Sequence, residues 1–141
     1  MEADLDKIAD FISKHHAMSL ATTHLDELSV CSLFYVYSKD AISFVVASGE
    51  DTLHVRHARN NSTIAGNILL ETKTLGKIQG VQFRGKFLEL EDATLKKLYF
   101  KEFPYALALN PKLWQIKVDF FKMTDNALGF GKKIIWPEPF V

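Results

Sequence analysis

No disulfide can form within this chain, because its 141 residues contain a single cysteine, Cys31. One thiol also removes every cysteine-cluster zinc site and fits a reducing compartment. Net charge is missing too: 17 Lys and Arg balance 17 Asp and Glu. A general nucleic-acid binder needs an excess of cations to displace counterions along the phosphates, so that role is not expected. No apolar run is long enough to span a bilayer, and the first ten residues, MEADLDKIAD, are acidic without an apolar signal core. These absences predict a soluble cytoplasmic protein with neither a membrane nor a nucleic-acid partner. No serine stands in a G-x-S-x-G setting, so a serine hydrolase is not indicated. No carboxylate pair stands out for acid–base work, and no residue is assigned a catalytic role.

What is present suits one packed domain over residues 1–141: 48% of the residues are hydrophobic and 24% charged. Leu5, Ile8 and Ile12 recur at helical spacing and predict a helix over 3–15. The period then shortens. MSLATTH and SVCSLFYVY, joined through LDEL, read as a hairpin, and AISFVVAS, STIAGNILL, GVQFRGKFLELE and WQIKVDFFKMT read as further strands. Gly85, inside the fifth strand, predicts a bulge or a close backbone approach. Ser48-Gly49-Glu50-Asp51 has capping-box spacing and predicts a short helix ended by Asn60-Asn61. Asp92 is placed to cap a further helix, ATLKKLYFKEF, that Pro104 stops. No βαβ alternation appears. The expected fold is therefore mainly β with minor α: six or seven antiparallel strands in a small barrel whose ends are plugged by short helices.

The stretch DTLHVRHARNN, residues 51–61, gathers two histidines and two arginines on one connector. His54 and His57 share a helical face, but zinc needs further ligands and no H-E-x-x-H pattern supplies them; solvated surface histidines are the plainer reading, and no metal is expected. An anion fits better. A helix start offers unpaired N–H groups, Ser48 and Thr52 add hydroxyls, and His54, Arg56 and Arg59 add charge, which is the equipment for a phosphate monoester. Gln82 and Arg84 lie two apart on a strand and share its polar face, which is either solvated or the wall of a ligand groove. Gly129-Phe130-Gly131-Lys132-Lys133 lacks the Walker spacing and reads as a turn. Trp114 and Trp136 read as core or subunit-interface residues. Cys31, within an apolar strand, reads as inert packing.

The order of SLATTH, CSLFYVY, SFVVASGEDTLHVRHARNN, GVQFRGKFLELE and TDNALGFGKKIIW resembles the pyridoxamine phosphate oxidase-like, FMN-binding split-barrel superfamily, and within it a small bacterial subgroup. The resemblance implies a homodimeric split barrel with FMN in two equivalent interface sites. It places Ser48 and Thr52 at the phosphate, Ser32 under the flavin, Gln82 and Arg84 on the strand face that supplies an amide to the ring, and Lys132 and Trp136 within reach of the site or the partner. Where such oxidases carry an Arg-Lys pair, this chain has Leu53-His54, so FMN should be held more loosely. The oxidases' substrate-binding arginine and histidine pattern is not matched, which argues against pyridoxamine phosphate as substrate. The implied function is an FMN flavoprotein, an oxidoreductase acting on an unidentified small molecule. The alternatives are a non-catalytic flavin carrier, a haem-binding barrel using His54 or His57, and a ligand-free dimeric interaction protein.

Overall fold

The computed structural model describes residues 2–137. Helix α1 (Glu2–Ser13) leads into strands β1 (Ala17–His24), β2 (Glu27–Ser38) and β3 (Ser43–Ala47). Helix α2 (Leu53–Asn60) follows, then β4 (Thr63–Leu69), β5 (Gln79–Glu89), α3 (Ala93–Glu102), β6 (Leu113–Asp125) and β7 (Lys133–Trp136). The strands pair in the order β3-β2-β1-β4-β5-β6, and β3 pairs again with β6, so six antiparallel strands close into a barrel. β7 adds a seventh strand along the far half of β6. This is the mainly β, six- to seven-stranded barrel that the period-2 segments predict.

Alternation decides which side chains fill it. On β5, Val81, Phe83 and Phe87 point inward while Gln82, Arg84 and Lys86 point out. The rings of Phe44, Phe83 and Phe121 meet at the centre, with Phe44 4.8 Å from Phe83 and 6.4 Å from Phe121. The helices cover opposite ends of the β1–β2 hairpin. α1 lays Ile8, Phe11 and Ile12 on the core, and Tyr35 Oη donates to the Ile12 carbonyl at 2.7 Å. At the hairpin's other end α2 buries Val55 and Ala58. α3 is capped by the Asp92 carboxylate, which accepts from Thr94 and Leu95 N–H, and packs Leu95 and Tyr99 against a smaller cluster with Val45, Leu90 and Leu113.

Two local readings are corrected. The capping residue of α2 is Thr52, whose hydroxyl oxygen accepts from Val55 N–H; the Ser48–Asp51 spacing does not cap the helix, because the chain makes a turn at 49–52 first. The β1–β2 connection is shorter than LDEL: Leu25 and Asp26 alone form it, with φ of 47° and 66°. Positive φ at both residues is the geometry that Asn-Gly suits, and leucine is strained there. Replacing Leu25-Asp26 by Asn-Gly is expected to stabilise the fold by about 1 kcal/mol, read as a rise in urea midpoint at unchanged slope. A fall in midpoint would contradict the turn assignment.

Candidate functional site

Where β3 ends, two hydrogen bonds pin Ser48. Its N–H donates to the Lys112 carbonyl at 3.0 Å, and its carbonyl accepts from the Trp114 indole at 2.8 Å. Trp114 is itself buried, its ring against Phe87 with centroids 5.3 Å apart. The chain then turns, with Thr52 N–H and hydroxyl both donating to the Gly49 carbonyl, at 3.2 and 2.8 Å. α2 starts on the next residue. The result brings three of the expected phosphate-binding side chains to one place. Ser48 Oγ and His54 Nε2 are in direct hydrogen-bond contact, and Thr52 Oγ1 lies 3.4 Å from the same nitrogen. The Leu53 and His54 N–H groups, which open the helix and have no intrahelical partner, sit beside them. Burial, and then the neighbouring His57, hold the His54 imidazolium pKa below its ordinary value, so His54 is neutral at pH 7, and a nearby negative charge would favour its protonated form.

The remaining cations of the connector divide. Arg56 is exposed on α2. Arg59 does not serve the helix start as the sequence suggests. It pairs with Glu50 at 3.0 Å and Glu89 at 3.5 Å, and Lys112 sits 3.9 and 3.6 Å from the same two carboxylates. Both cations lie over the Trp114 ring, 5.4 and 5.3 Å from its centroid. The four charges thus fasten α2, the 49–52 turn and the adjoining ends of β5 and β6 together. The surface-histidine reading also fails for His57, which is only 3% exposed. Its Nδ1 meets Thr22 Oγ1 at 3.0 Å and its Nε2 meets Glu27 Oε1 at 2.7 Å, tying α2 to the β1–β2 hairpin. The i, i+3 spacing showed that His54 and His57 share a face but not that one is buried, because the strand partners are 30 and 35 residues away.

The other expected ligand residues form separate groups. Register places Ser32, Ser19, Asn67 and Gln82 in one row across β2, β1, β4 and β5, on the outward face. Asn67 and Gln82, two amides side by side, line a shallow pocket of about 170 Å³. Ser19 and Asn67 were not picked from the sequence; only strand order reveals that they join Ser32 to Gln82. Arg84 occupies the next outward row and stacks over Phe120, 4.2 Å from the ring centroid. Lys132 and Trp136 lie beside the far end of β6, where Trp136 pairs with Phe121 and the Lys132 carbonyl accepts from Asp125 N–H. Ser48 adjoins the start of β6, whereas Trp136, Gln82 and Lys132 lie opposite Phe121, Lys122 and Asp125, roughly 25–40 Å further along that strand, and one chain does not bring them to the Ser48 turn. Cys31 is half-buried and burial pushes its thiol pKa up, as suits packing rather than nucleophilic attack.

No family model matches the chain. Curated relatives do. A UPF0306 protein of Klebsiella pneumoniae (strain 342) is 38% identical over 135 residues, covering 94% of this chain and 92% of that one. The UPF0306 protein YhbP of Escherichia coli O127:H6 is 35% identical over 135 residues, covering 94% of this chain and 96% of its own. Among solved structures, a candidate pyridoxamine 5′-phosphate oxidase from Listeria innocua superposes with a TM-score of 0.68 at 14% identity, covering 84% of this chain and 96% of that one. An FAD-binding protein from Mesorhizobium loti gives 0.68 at 14%, covering 83% and 89%. HutZ, the haem storage protein of Vibrio cholerae, gives 0.67 at 13%, covering 81% and 89%. At these identities the structures establish the fold alone, while the curated relatives span nearly the whole chain. The chain belongs to the UPF0306 family, with the split-barrel fold of the pyridoxamine 5′-phosphate oxidase-like proteins.

Proposed function

We propose that this protein is an FMN-binding flavoprotein, an oxidoreductase acting on a small molecule. The observation that carries the reading is the convergence of Ser48, Thr52 and His54 at the start of α2. A phosphate monoester needs several donors around one point, and this turn offers the Ser48 hydroxyl, an imidazole, helix N–H groups and, once it leaves the Gly49 carbonyl, the Thr52 hydroxyl. Bound flavin would supply hydride or single-electron chemistry of its own. The chain's residues then only position and shield it. Ser32, Asn67 and Gln82 offer hydroxyl and amide groups for a ring edge, and Arg84 a charge beside them. Haem is the weaker reading, because both ring nitrogens of His57 are engaged by Thr22 and Glu27 and His54 Nε2 faces Ser48.

The phosphate-binding turn and the amide row are separated within one chain, so the reading includes a homodimer. Leu28, Val30 and Phe34 on the outer face of β2 are 80%, 76% and 58% exposed, on the same face as Ser32. Apolar side chains exposed in a row suit a partner surface better than water. A second copy laid there brings two part-sites together, and Lys132 and Trp136 enter only through it.

Titrating the purified protein with FMN and with riboflavin, followed by flavin fluorescence, tests the reading. FMN is expected to bind at least tenfold more tightly than riboflavin, since a charged hydrogen-bonded group contributes about 1.5–3 kcal/mol. Equal affinity, or no binding of either, would remove the phosphate clamp. In sedimentation, a Val30→Lys, Phe34→Lys double variant should shift the protein to monomer and lose FMN; a wild-type monomer that binds FMN would remove the dimer.

A further inference from the structure

Ser48 follows the last residue of β3, and its hydroxyl is in direct hydrogen-bond contact with His54 Nε2 on the first turn of α2. We propose that the two are a nucleophile and its general base, which take an acyl group from a small activated ester, an aryl ester or a thioester, and pass it to water. This activity uses the turn assigned to the flavin phosphate but does not rest on that assignment.

Covalent catalysis by a hydroxyl needs a base within hydrogen-bond reach and a nucleophile held in place. The Lys112 carbonyl and the Trp114 indole fix the Ser48 backbone on both sides, so its Oγ is aimed before any ligand arrives. The base is in the right state, because His54 is neutral at pH 7. Its proton traffic is also decided. The Thr52 hydroxyl lies 3.4 Å from the same nitrogen, but it donates to the Gly49 carbonyl at 2.8 Å. With the ring protonated at Nδ1, Nε2 is therefore left to take the Ser48 proton. Ser48 and His54 are both half-buried rather than sealed, so a small ester reaches them. The Leu53 and His54 N–H groups open the helix beside them and are the donors available to a developing oxyanion. A strand-to-helix turn seats the nucleophile of many hydrolases in the same way. No serine motif announces the pair, because the 49–52 turn brings together residues six apart.

In the acylation step Ser48 Oγ bonds to the carbonyl carbon while Nε2 takes its proton. The tetrahedral adduct then expels the aryloxide or thiolate, which leaves with that proton. Water repeats the attack on the acyl-serine, giving its proton to Nε2, and collapse returns the proton to Oγ and releases the acid. Among the described residues no carboxylate reaches the His54 ring, so the base is a weak one. That limits the substrate to esters whose leaving group departs readily, and excludes amides.

The probe is p-nitrophenyl acetate, added to the flavin-free full chain at neutral pH. A burst of p-nitrophenolate is expected, and the protein should gain the mass of an acetyl group that peptide mapping places on Ser48. Ser48→Ala keeps both backbone hydrogen bonds, so the fold should survive; it should lose the acetyl group and slow hydrolysis at least about tenfold, as should His54→Ala. His24→Ala, a histidine outside the turn, should change neither readout. The proposal is overturned if the wild-type protein carries no acetyl group on Ser48, or if Ser48→Ala or His54→Ala hydrolyses the ester as fast as the wild type. FMN is absent from this assay, so loss of acylation leaves the comparison of FMN with riboflavin intact, and a protein that binds no FMN is still expected to be acetylated.

Discussion

His54→Ala should weaken FMN binding about tenfold at neutral pH, the loss of one charge-assisted hydrogen bond at the lower end of its usual range. The lower end applies because His54 is only half-buried and shares its ring nitrogen with Ser48 and Thr52. The same residue predicts a pH dependence. In the free protein, burial and His57 hold the His54 pKa below its ordinary value, so the ring is neutral at pH 7. A phosphate dianion beside Nε2 favours the imidazolium, so binding takes up a proton. FMN affinity should therefore rise as pH falls from 8, and level off once His54 is protonated in the free protein too. Below the phosphate's own second pKa, near about 6, the monoanion forms and affinity should fall again. His54→Gln keeps a polar group but cannot titrate, and should flatten the alkaline side of that profile. His57→Ala is the contrast: it leaves Thr22 and Glu27 without their partner, so it should lower thermal stability while changing FMN affinity less than His54→Ala does. A wild-type affinity independent of pH, or equal affinity losses in the two alanine variants, would refute the role given to His54.

Gly85→Ala is the substitution with the largest expected effect on the fold. A Cβ there would sit 2.2 Å from the Lys117 carbonyl oxygen, 3.0 Å from its carbon and 3.1 Å from Val118 Cα. All three are backbone atoms of β6, so no side chain can swing aside. The β5–β6 register shifts between Arg84 and Gly85, and this bulge lets β5 bend while β6 serves both β5 and β3. Admitting a methyl group means separating the two strands that share the longest ladder of the barrel. The cost should be about 3 kcal/mol or more, equivalent to a fall in melting temperature of roughly 10 °C in a domain of this size. Gly76→Ala is the matched control, since a Cβ there meets nothing within 4 Å. It should be neutral or slightly stabilising. A Gly85→Ala protein as stable as the Gly76→Ala one would show that the bulge is not tight.

Much of this fold is legible in the sequence, because the signals are local. Alternation on β5 requires Val81, Phe83 and Phe87 to share one face, whatever they pack against. Asp92 ahead of ATLKKLYFKEF is a capping residue by its chemistry, and a glycine inside a strand marks a backbone contact that no Cβ permits. The turn residues were less legible. Asp26 tolerates positive φ but Leu25 does not, so the hairpin loop is set by the register of its strands, His24 opposite Glu27, against the preference of leucine. Ser48-Gly49-Glu50-Asp51 shows the converse: its spacing imitates a cap, but the chain has not yet reached the helix.

The sequence alone determined the mainly antiparallel β architecture, three helices and a candidate phosphate-binding turn at residues 48–54, since each depends on periodicity or on residues within a few positions. Only the tertiary structure decided what those residues do. It buried His57 between Thr22 and Glu27, drew Arg59 away to Glu50 and Glu89, aligned Asn67 with Gln82, and left Tyr37 Oη without a partner. Each outcome depends on which distant strand lies alongside, and strand pairing is fixed by burial and closure of the whole barrel rather than by any short stretch of chain.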